Sequence, residues 1–422
     1  MSRWLEVELF GQPLGPLAIS GALRSPEDWT FTYCRDYLQS GAPAISVAMP
    51  LREAPWVGAI ARNWFCNLLP EGAVRQAICE RLRIPLDDDF TLLAAIGGEC
   101  AGAVSLRVPE DAPGKTSCVD ADETDLETVL YLQGDDGGDG SWALAGTPMR
   151  LSLAGAQDKL AVVAELDGCL RLPRRGEPST HILKPDSRRF PGIRDAEALG
   201  LALARRLGLD AAPAKLVDVQ GRAALLIERY DRIRTPDGAV HRLHQEDFCQ
   251  ALGYPERLKY EGSGGPGLDA CSKLVRTLAL GPKAVQGVLD WVVFNALIGN
   301  ADAHAKNLSL LCGRDGRRWL APLYDLVPTI YLPESLVART PAMHIGHASR
   351  IDRIGTEDWA AFADATHYRK SYVRERVRSL ADNLLDCLPG VSSDILEQGG
   401  DPVRVARVSA AIADNARNIG YP

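Results

Sequence analysis

Residues 108–140 interrupt the chain more sharply than any other stretch. Ten acids (Glu110, Asp111, Asp120, Asp122, Glu123, Asp125, Glu127, Asp135, Asp136 and Asp139) face the single base Lys115, and the stretch ends in Gly134-Asp-Asp-Gly-Gly-Asp-Gly140. A segment with so few apolar side chains cannot repay the entropy of ordering its backbone. It reads as a linker or surface loop between two separately patterned regions. The 422-residue chain carries a formal charge of −8, so its acidity is concentrated here and the remainder is close to neutral. That distribution argues against a dedicated nucleic-acid binder.

The region before the break alternates and then turns helical. Leu5, Val7 and Leu9 alternate with Glu6 and Glu8; Trp29–Tyr33 and Ala44–Leu51 read as further strands. From Arg62 the apolar positions Trp64, Leu68, Leu69, Val74, Ile78 and Leu82 follow helical steps. Phe90–Ile96 is a short helix stopped by Gly97-Gly98, and Ala103–Val108 a closing strand. After the break, strands are expected at Leu160–Glu165, Leu170–Leu172, His181–Lys184, Ala214–Val219 and Ala223–Glu228, around a helix at Ala196–Leu207. Helices then dominate: Val285–Ile298, Trp359–Ala365, Lys370–Leu385 and Pro402–Ala416. The expected organisation is α+β: an N-terminal domain at 1–107, the acidic linker at 108–148, a strand-rich lobe at 149–232 and a helical lobe at 233–422.

Several classes drop out. No run approaches the roughly 18 apolar residues a membrane helix needs, and Glu6 and Glu8 fall where a signal peptide needs an apolar core. A cytoplasmic protein without membrane contact is expected. The ten cysteines contain no CxxC pair and the seven histidines no HExxH, so zinc sites are not expected and the thiols read as free and buried.

The residues that carry chemistry begin with Asn295–Leu310. Asp302 and Asn307 stand in the Asp-x-x-x-x-Asn spacing of a kinase catalytic loop, with Lys306 between them to neutralise a transferring phosphoryl group. Downstream, Trp319-Leu-Ala-Pro-Leu-Tyr-Asp325 reads as an apolar strand ending in a metal-binding carboxylate, although Asp325-Leu-Val replaces Asp-Phe-Gly. Upstream, Ser152-Leu-Ala-Gly-Ala-Gln-Asp-Lys159 is a small-residue loop whose N–H groups can approach phosphates. Lys184 ends an apolar strand and precedes a helix carrying Glu197, a lysine–glutamate order that kinases use to orient phosphates. Glu228-Arg-Tyr-Asp231 leaves a strand at the lobe boundary, where a hinge presents itself to adenine and ribose; salt bridging by Glu228, Arg229 and Asp231 competes with that reading.

Taken in order, these segments resemble the HipA family of bacterial toxin kinases. The resemblance rests on Asn67-Leu-Leu-Pro-Glu-Gly72, Leu93–Gly98 with Ala101-Gly-Ala103, Ser152–Lys159 and His181-Ile-Leu-Lys184-Pro. It continues through Glu228–Arg232, His244–Gln250, Asn300–Asn307 and Tyr324-Asp325. It implies a protein-kinase-like two-lobed fold with an additional small N-terminal domain. It also implies an ATP- and Mg²⁺-dependent serine/threonine protein kinase. On this resemblance Asp302 is the catalytic base, with His304 and Lys306 beside it, and Asn307 and Asp325 hold Mg²⁺. ATP is contacted by Ser152, Ala154, Gly155, Ala156, Gln157, Lys159, Ile182, Lys184, Glu228, Tyr230 and Asp231. Ser152 is the residue whose autophosphorylation silences the enzyme. The implied partners are a protein substrate, commonly an aminoacyl-tRNA synthetase, and a helix-turn-helix antitoxin through which the kinase meets DNA. Two rivals remain at this point: a small-molecule phosphotransferase of the same fold, and a non-catalytic corepressor.

Overall fold

Alternating burial of Leu5, Val7 and Leu9 makes β1 (Arg3–Leu9), which pairs antiparallel with β2 (Gln12–Ile19) and with the strand Val104–Arg107. The structure is a computed structural model and describes residues 3–21, 25–109, 159–174, 176–187, 189–219 and 221–421. The acidic stretch from residue 110 onward, and with it Ser152, Ala154, Gly155, Ala156 and Gln157, lies outside the described residues. The chain divides into two compact units. One comprises Met1–Lys184, Arg229–Glu256 and Leu310–Arg318; the other comprises Pro185–Glu228, Arg257–Ser309 and Trp319–Pro422.

In the first unit, β3 (Trp29–Phe31), β4 (Trp56–Val57) and β5 (Val104–Arg107) complete a five-stranded sheet in the order β4-β3-β2-β1-β5. Its inner face is covered by helices α1 (Ala59–Cys66), α2 (Gly72–Leu82) and α3 (Asp89–Ile96), burying Trp29, Phe31, Trp64, Phe65, Phe90 and Leu93 together. The helical run from Arg62 breaks at Pro70, which has no N–H to donate. Asp88 caps α3 by accepting from the Thr91 N–H at 2.9 Å. Gly97 ends it where a Cβ would lie 2.5 Å from the Leu93 carbonyl oxygen. The expected strands at 160–165, 170–172 and 181–184 are present as β6 (Leu160–Ala164), β7 (Leu170–Arg171) and β8 (His181–Pro185).

A boundary at 232/233 does not describe this unit, because residues 229–242 are tied into the N-terminal domain. Arg232 donates to Glu99 Oε1 at 2.8 Å, Arg229 grips both oxygens of Asp231 at 3.0 and 2.8 Å, and the Gly102 N–H donates to Asp231 at 2.7 Å. Arg242 donates to the carbonyls of Gly102 and Val104 at 2.9 and 2.8 Å. Burial works against the charge on Asp231, but Arg229 and Arg232 outweigh it and hold the carboxyl well below its ordinary range.

The second unit holds a hairpin, β9 (Ala214–Val219) with β10 (Arg222–Glu228), and a set of helices. These are α4 (Ile193–Arg206), α5 (Leu268–Thr277), α6 (Pro282–Ile298), α7 (Thr356–Thr366), α8 (Lys370–Glu397) and α9 (Pro402–Ile419). Helix α8 outruns its expected end at Leu385. Its apolar stripe continues through Leu388, Val391 and Ile395, and this burial carries the helix past Pro389. Among the described residues all cysteines are free; Cys169 departs from the expected burial by lying exposed.

Ala44–Leu51 forms no strand. Its polar groups are met by side chains instead: the Ile45 N–H donates to the Tyr33 hydroxyl at 3.1 Å, which donates to the Met49 carbonyl at 2.6 Å. Ser46 Oγ and the Val47 N–H donate to Glu246 at 2.7 and 3.0 Å. Burial lifts the Glu246 carboxyl from 4.5 to about 7, against the pull of those donors. The folded chain therefore favours the neutral acid. This group's contribution to stability is full below about pH 4.5 and is lost as pH rises through about 7. Glu246→Gln mimics the neutral acid, so its unfolding free energy relative to wild type should rise between pH 5 and pH 8 in denaturant titrations. An offset that stays constant across that range would show that Glu246 remains charged in the fold.

Candidate active site

Helix α6 delivers the candidate catalytic loop. The helix ends at Gly299, whose φ of +69° and close approach to Ile330, 2.5 Å from an ideal Cβ, leave no room for a side chain. The loop then hangs from Asn300, a residue that spacing arguments do not single out. Its Oδ1 accepts from the Asp302 N–H at 3.1 Å; its Nδ2 donates to Asn295 Oδ1 at 2.8 Å and, more weakly, to the Asp325 carbonyl at 3.4 Å. Asn295 in turn donates to the Trp291 carbonyl one turn back in α6 at 2.9 Å. One buried amide thus connects the helix end, the loop and the backbone of Asp325. A cavity of about 20 Å³, room for roughly one water, lies behind it between Trp291, Asn295, Asn300 and Met343.

Within the loop, the His304 N–H donates to the Asp302 carbonyl and the Asn307 N–H to the His304 carbonyl, each at 2.9 Å. Asp302 projects as an exposed side chain, whereas His304, Lys306 and Asn307 are buried. Asn307 Nδ2 lies 3.4 Å from Asp325 Oδ2, so the two residues expected to share a cation are neighbours. Tyr324 fixes the approach of this segment: its hydroxyl donates to the Lys306 carbonyl at 2.5 Å and sits 2.6 Å from Ser309 Oγ.

The expected strand ending in Asp325 is corrected in its extent. The strand covers Arg318–Leu320, and Asp325 lies beyond it in the left-handed region at φ +57°. Aspartate tolerates that region better than branched residues do, because its short polar side chain bonds locally. Pro322, which has no N–H to donate, interrupts the short run between Leu320 and Asp325.

The remaining site residues fall as follows. Glu228 belongs to the second unit, at the exposed end of β10. Lys159, Ile182, Lys184, Tyr230 and Asp231 belong to the first. Ile182 pairs with Ala161 in the sheet, Lys159 immediately precedes β6, and Lys184 is buried near the end of β8. Asp231, offered for the ribose, is buried with its oxygens engaged by Arg229, Arg232 and the Gly102 N–H. That geometry favours the salt-bridging role over the ribose. Tyr260 was not expected at all: its hydroxyl donates to Asp302 Oδ1 at 2.8 Å, and its ring meets His304 edge-on. The sequence signal for it is slight, an aromatic ahead of the Gly-rich run Gly262-Ser-Gly-Gly265.

Removing the Asn300 amide strands the Asp302 N–H and Asn295 Oδ1 in the interior. Asn300→Ala should lower the unfolding free energy by about 2 kcal/mol in urea titrations. A loss below about 0.5 kcal/mol, the range of ordinary surface changes, would mean that the amide does not organise the loop.

Comparison with known proteins accords with this arrangement. Residues 5–107 match the HipA N-terminal domain family and residues 151–388 match the HipA-like C-terminal domain family. The candidate kinase Y4mE of Sinorhizobium fredii is 37% identical over 394 residues, covering 92% of this chain and 93% of that protein. The serine/threonine-protein kinase toxin HipA of Shewanella oneidensis is 32% identical over 349 residues, 76% of this chain and 74% of that one. A chain in the solved complex of Shewanella oneidensis HipA, HipB and operator DNA superposes with a TM-score of 0.79 at 26% identity, covering 99% of this chain and 98% of its own. With a kinase-like α+β fold, both family domains in order and a relative matched over most of its length, the chain belongs to the HipA family of serine/threonine kinase toxins.

Proposed function

We propose that this chain transfers the γ-phosphoryl group of ATP to a serine or threonine hydroxyl of a protein, and that Asp302 is the general base. The observation that carries the proposal is the convergence of Asp302, Asn307 and Asp325 on one loop system, with Asn300 joining its parts. In this reading the acceptor oxygen attacks the γ-phosphorus, its proton passes to the Asp302 carboxylate, and the bond from the γ-phosphorus to the leaving oxygen of ADP breaks. Positioning and charge stabilisation carry most of the rate in such transfers. Lys306 and Lys184 are the cations offered for the phosphates.

A carboxylate and an amide carbonyl are hard oxygen donors of the kind Mg²⁺ takes, and the proximity of Asn307 to Asp325 fits such a cation. Bound there, it would neutralise charge on the phosphate oxygens. Asn307 and Asp325 would hold it, while the Asn300 amide and the Tyr324 hydroxyl would keep their backbone segments in register. Ile182, Glu228 and Tyr230 are the residues offered for adenine, and Ser152 to Lys159 for the phosphates.

The family resemblance supports three further elements. The target is a protein of the translation apparatus, in the first instance an aminoacyl-tRNA synthetase, whose modification arrests growth. Phosphorylation of Ser152 adds a charge of roughly −1.5 to −2 where anionic ATP must bind, and so silences the enzyme. A helix-turn-helix antitoxin binds the kinase and links it to operator DNA, as HipB accompanies HipA in the Shewanella oneidensis complex. Among the described residues no helix is long and apolar enough to cross a membrane, and a cytoplasmic location suits these partners.

Intact-mass and peptide mass spectrometry of phosphatase-treated protein, incubated with ATP and Mg²⁺, tests the proposal. Wild type should gain one phosphate on Ser152, Asp302→Asn should gain none, and ATP affinity should differ by no more than a few-fold between them. Equal labelling of both proteins would remove Asp302 from the role of base.

A further inference from the structure

Asp302 is an exposed carboxylate on a short loop, and its backbone is fixed on both sides: the N–H donates to Asn300 and the carbonyl accepts from His304. Backbone anchoring leaves the side-chain torsions free, and an exposed aspartate ordinarily samples several staggered rotamers. Here one contact selects among them. The Tyr260 hydroxyl donates to Oδ1 at 2.8 Å, and among the described residues no other side chain is bonded to the carboxylate.

Tyr260 is itself held by the same part of the second unit. The neighbouring Glu261 N–H donates to the Ala342 carbonyl, and the Ala342 N–H donates to the Ala301 carbonyl, both at 2.9 Å. The His344 N–H donates to Glu261 Oε2 at 2.6 Å. The phenol ring stands edge-on to His304 with centroids 5.5 Å apart. Segments 260–261, 342–344 and 301–304 therefore form one hydrogen-bonded assembly, with the hydroxyl at its tip.

We infer that Tyr260 is a positioning residue for Asp302: its phenol pins Oδ1 and leaves Oδ2 to take the proton of the acceptor hydroxyl. The inference rests on the reading of Asp302 as general base. A phenol suits the task because its proton, lost only near pH 10, can be shared with a carboxylate without being given up. The arrangement follows the general pattern in which a base is oriented by a further group.

Tyr260→Phe keeps the ring against His304 and removes the donor. The test follows self-labelling of the phosphatase-treated full chain by intact mass under single-turnover conditions, with ATP and Mg²⁺, from pH 5 to pH 9. The variant should label to the wild-type amplitude with a rate constant about tenfold lower, the scale of one lost hydrogen bond to a charged group. The ATP concentration that gives half the maximal rate should stay that of wild type, so that the loss falls on the transfer step alone. The other titratable groups around this assembly are Lys259, whose ammonium lies over the Tyr260 ring, Glu261, His304, Lys306 and His344, and all are retained in the variant. An unchanged rate constant would overturn the inference. So would a reduced amplitude with an unchanged rate constant, which marks a structural role, or phosphate found on Tyr260 itself, which would make the phenol an acceptor. A wild type that gains no phosphate would instead defeat the reading of the chain as a self-modifying kinase.

Discussion

A buried ion cluster organises the first unit. Glu99 and Asp231 face Arg229, Arg232 and Arg242, and five ionisable groups in one interior place persist only because nearly every donor finds an oxygen. Such clusters contribute little net stability, since desolvating the charges offsets much of their attraction. Their effect is on choice of structure. Losing any one member leaves a charge stranded, so the segments around residues 99, 231 and 242 have one arrangement open to them. Three cations against two anions also leave an excess of positive charge. Burial, reinforced by Arg232, pulls the Arg242 guanidinium down to about 10, and carbonyl oxygens of Cys100, Gly102 and Val104 accept hydrogen bonds from its N–H groups.

The candidate site in the second unit is built differently. It uses neutral amides and hydroxyls, Asn295, Asn300, Tyr260 and Tyr324, to fix the places of charged groups. Neutral donors suit a site whose carboxylates must stay available for a proton or a cation. They hold geometry without cancelling the charge that the chemistry needs. The left-handed backbone at Asp325 belongs to the same pattern, turning the chain sharply so that the carboxylate meets Asn307.

Much of this was readable from residue order, and the failures have physical causes. Periodicity located β1, which buries one face and exposes the other, whereas apolar runs of strand or helix length located β6, β10 and α6, whose Leu160–Val163, Ala224–Ile227 and Val288–Ile298 are buried on every side. It failed at Ala44–Leu51, an apolar alternating run whose backbone groups are met by Tyr33 and Glu246 rather than by a neighbouring strand. No local pattern announces a partner two hundred residues away. The Asp302 and Asn307 spacing was legible because both side chains sit at a fixed interval within one short loop. Asn300 and Tyr260 were not, since an amide or a phenol that positions another residue can be supplied from anywhere the fold allows. Asp231 was ambiguous in the sequence for a related reason: an acid beside two arginines serves a ribose or a salt bridge equally well until its burial is known.

The first unit is assembled from pieces that are made far apart in time. Glu99 leaves the ribosome long before Arg229, Arg232 and Arg242 exist, and the segment Leu310–Arg318 that completes the unit comes later still. Until then the N-terminal sheet must persist with an acid whose counter-charges have not been synthesised. Contacts of such sequence separation form slowly even in a complete chain. Vectorial synthesis adds a fixed delay, because roughly three quarters of the polypeptide must be translated before this unit can close. A nascent chain truncated between residues 99 and 229 therefore carries Glu99 without the arginines that neutralise it in the complete unit.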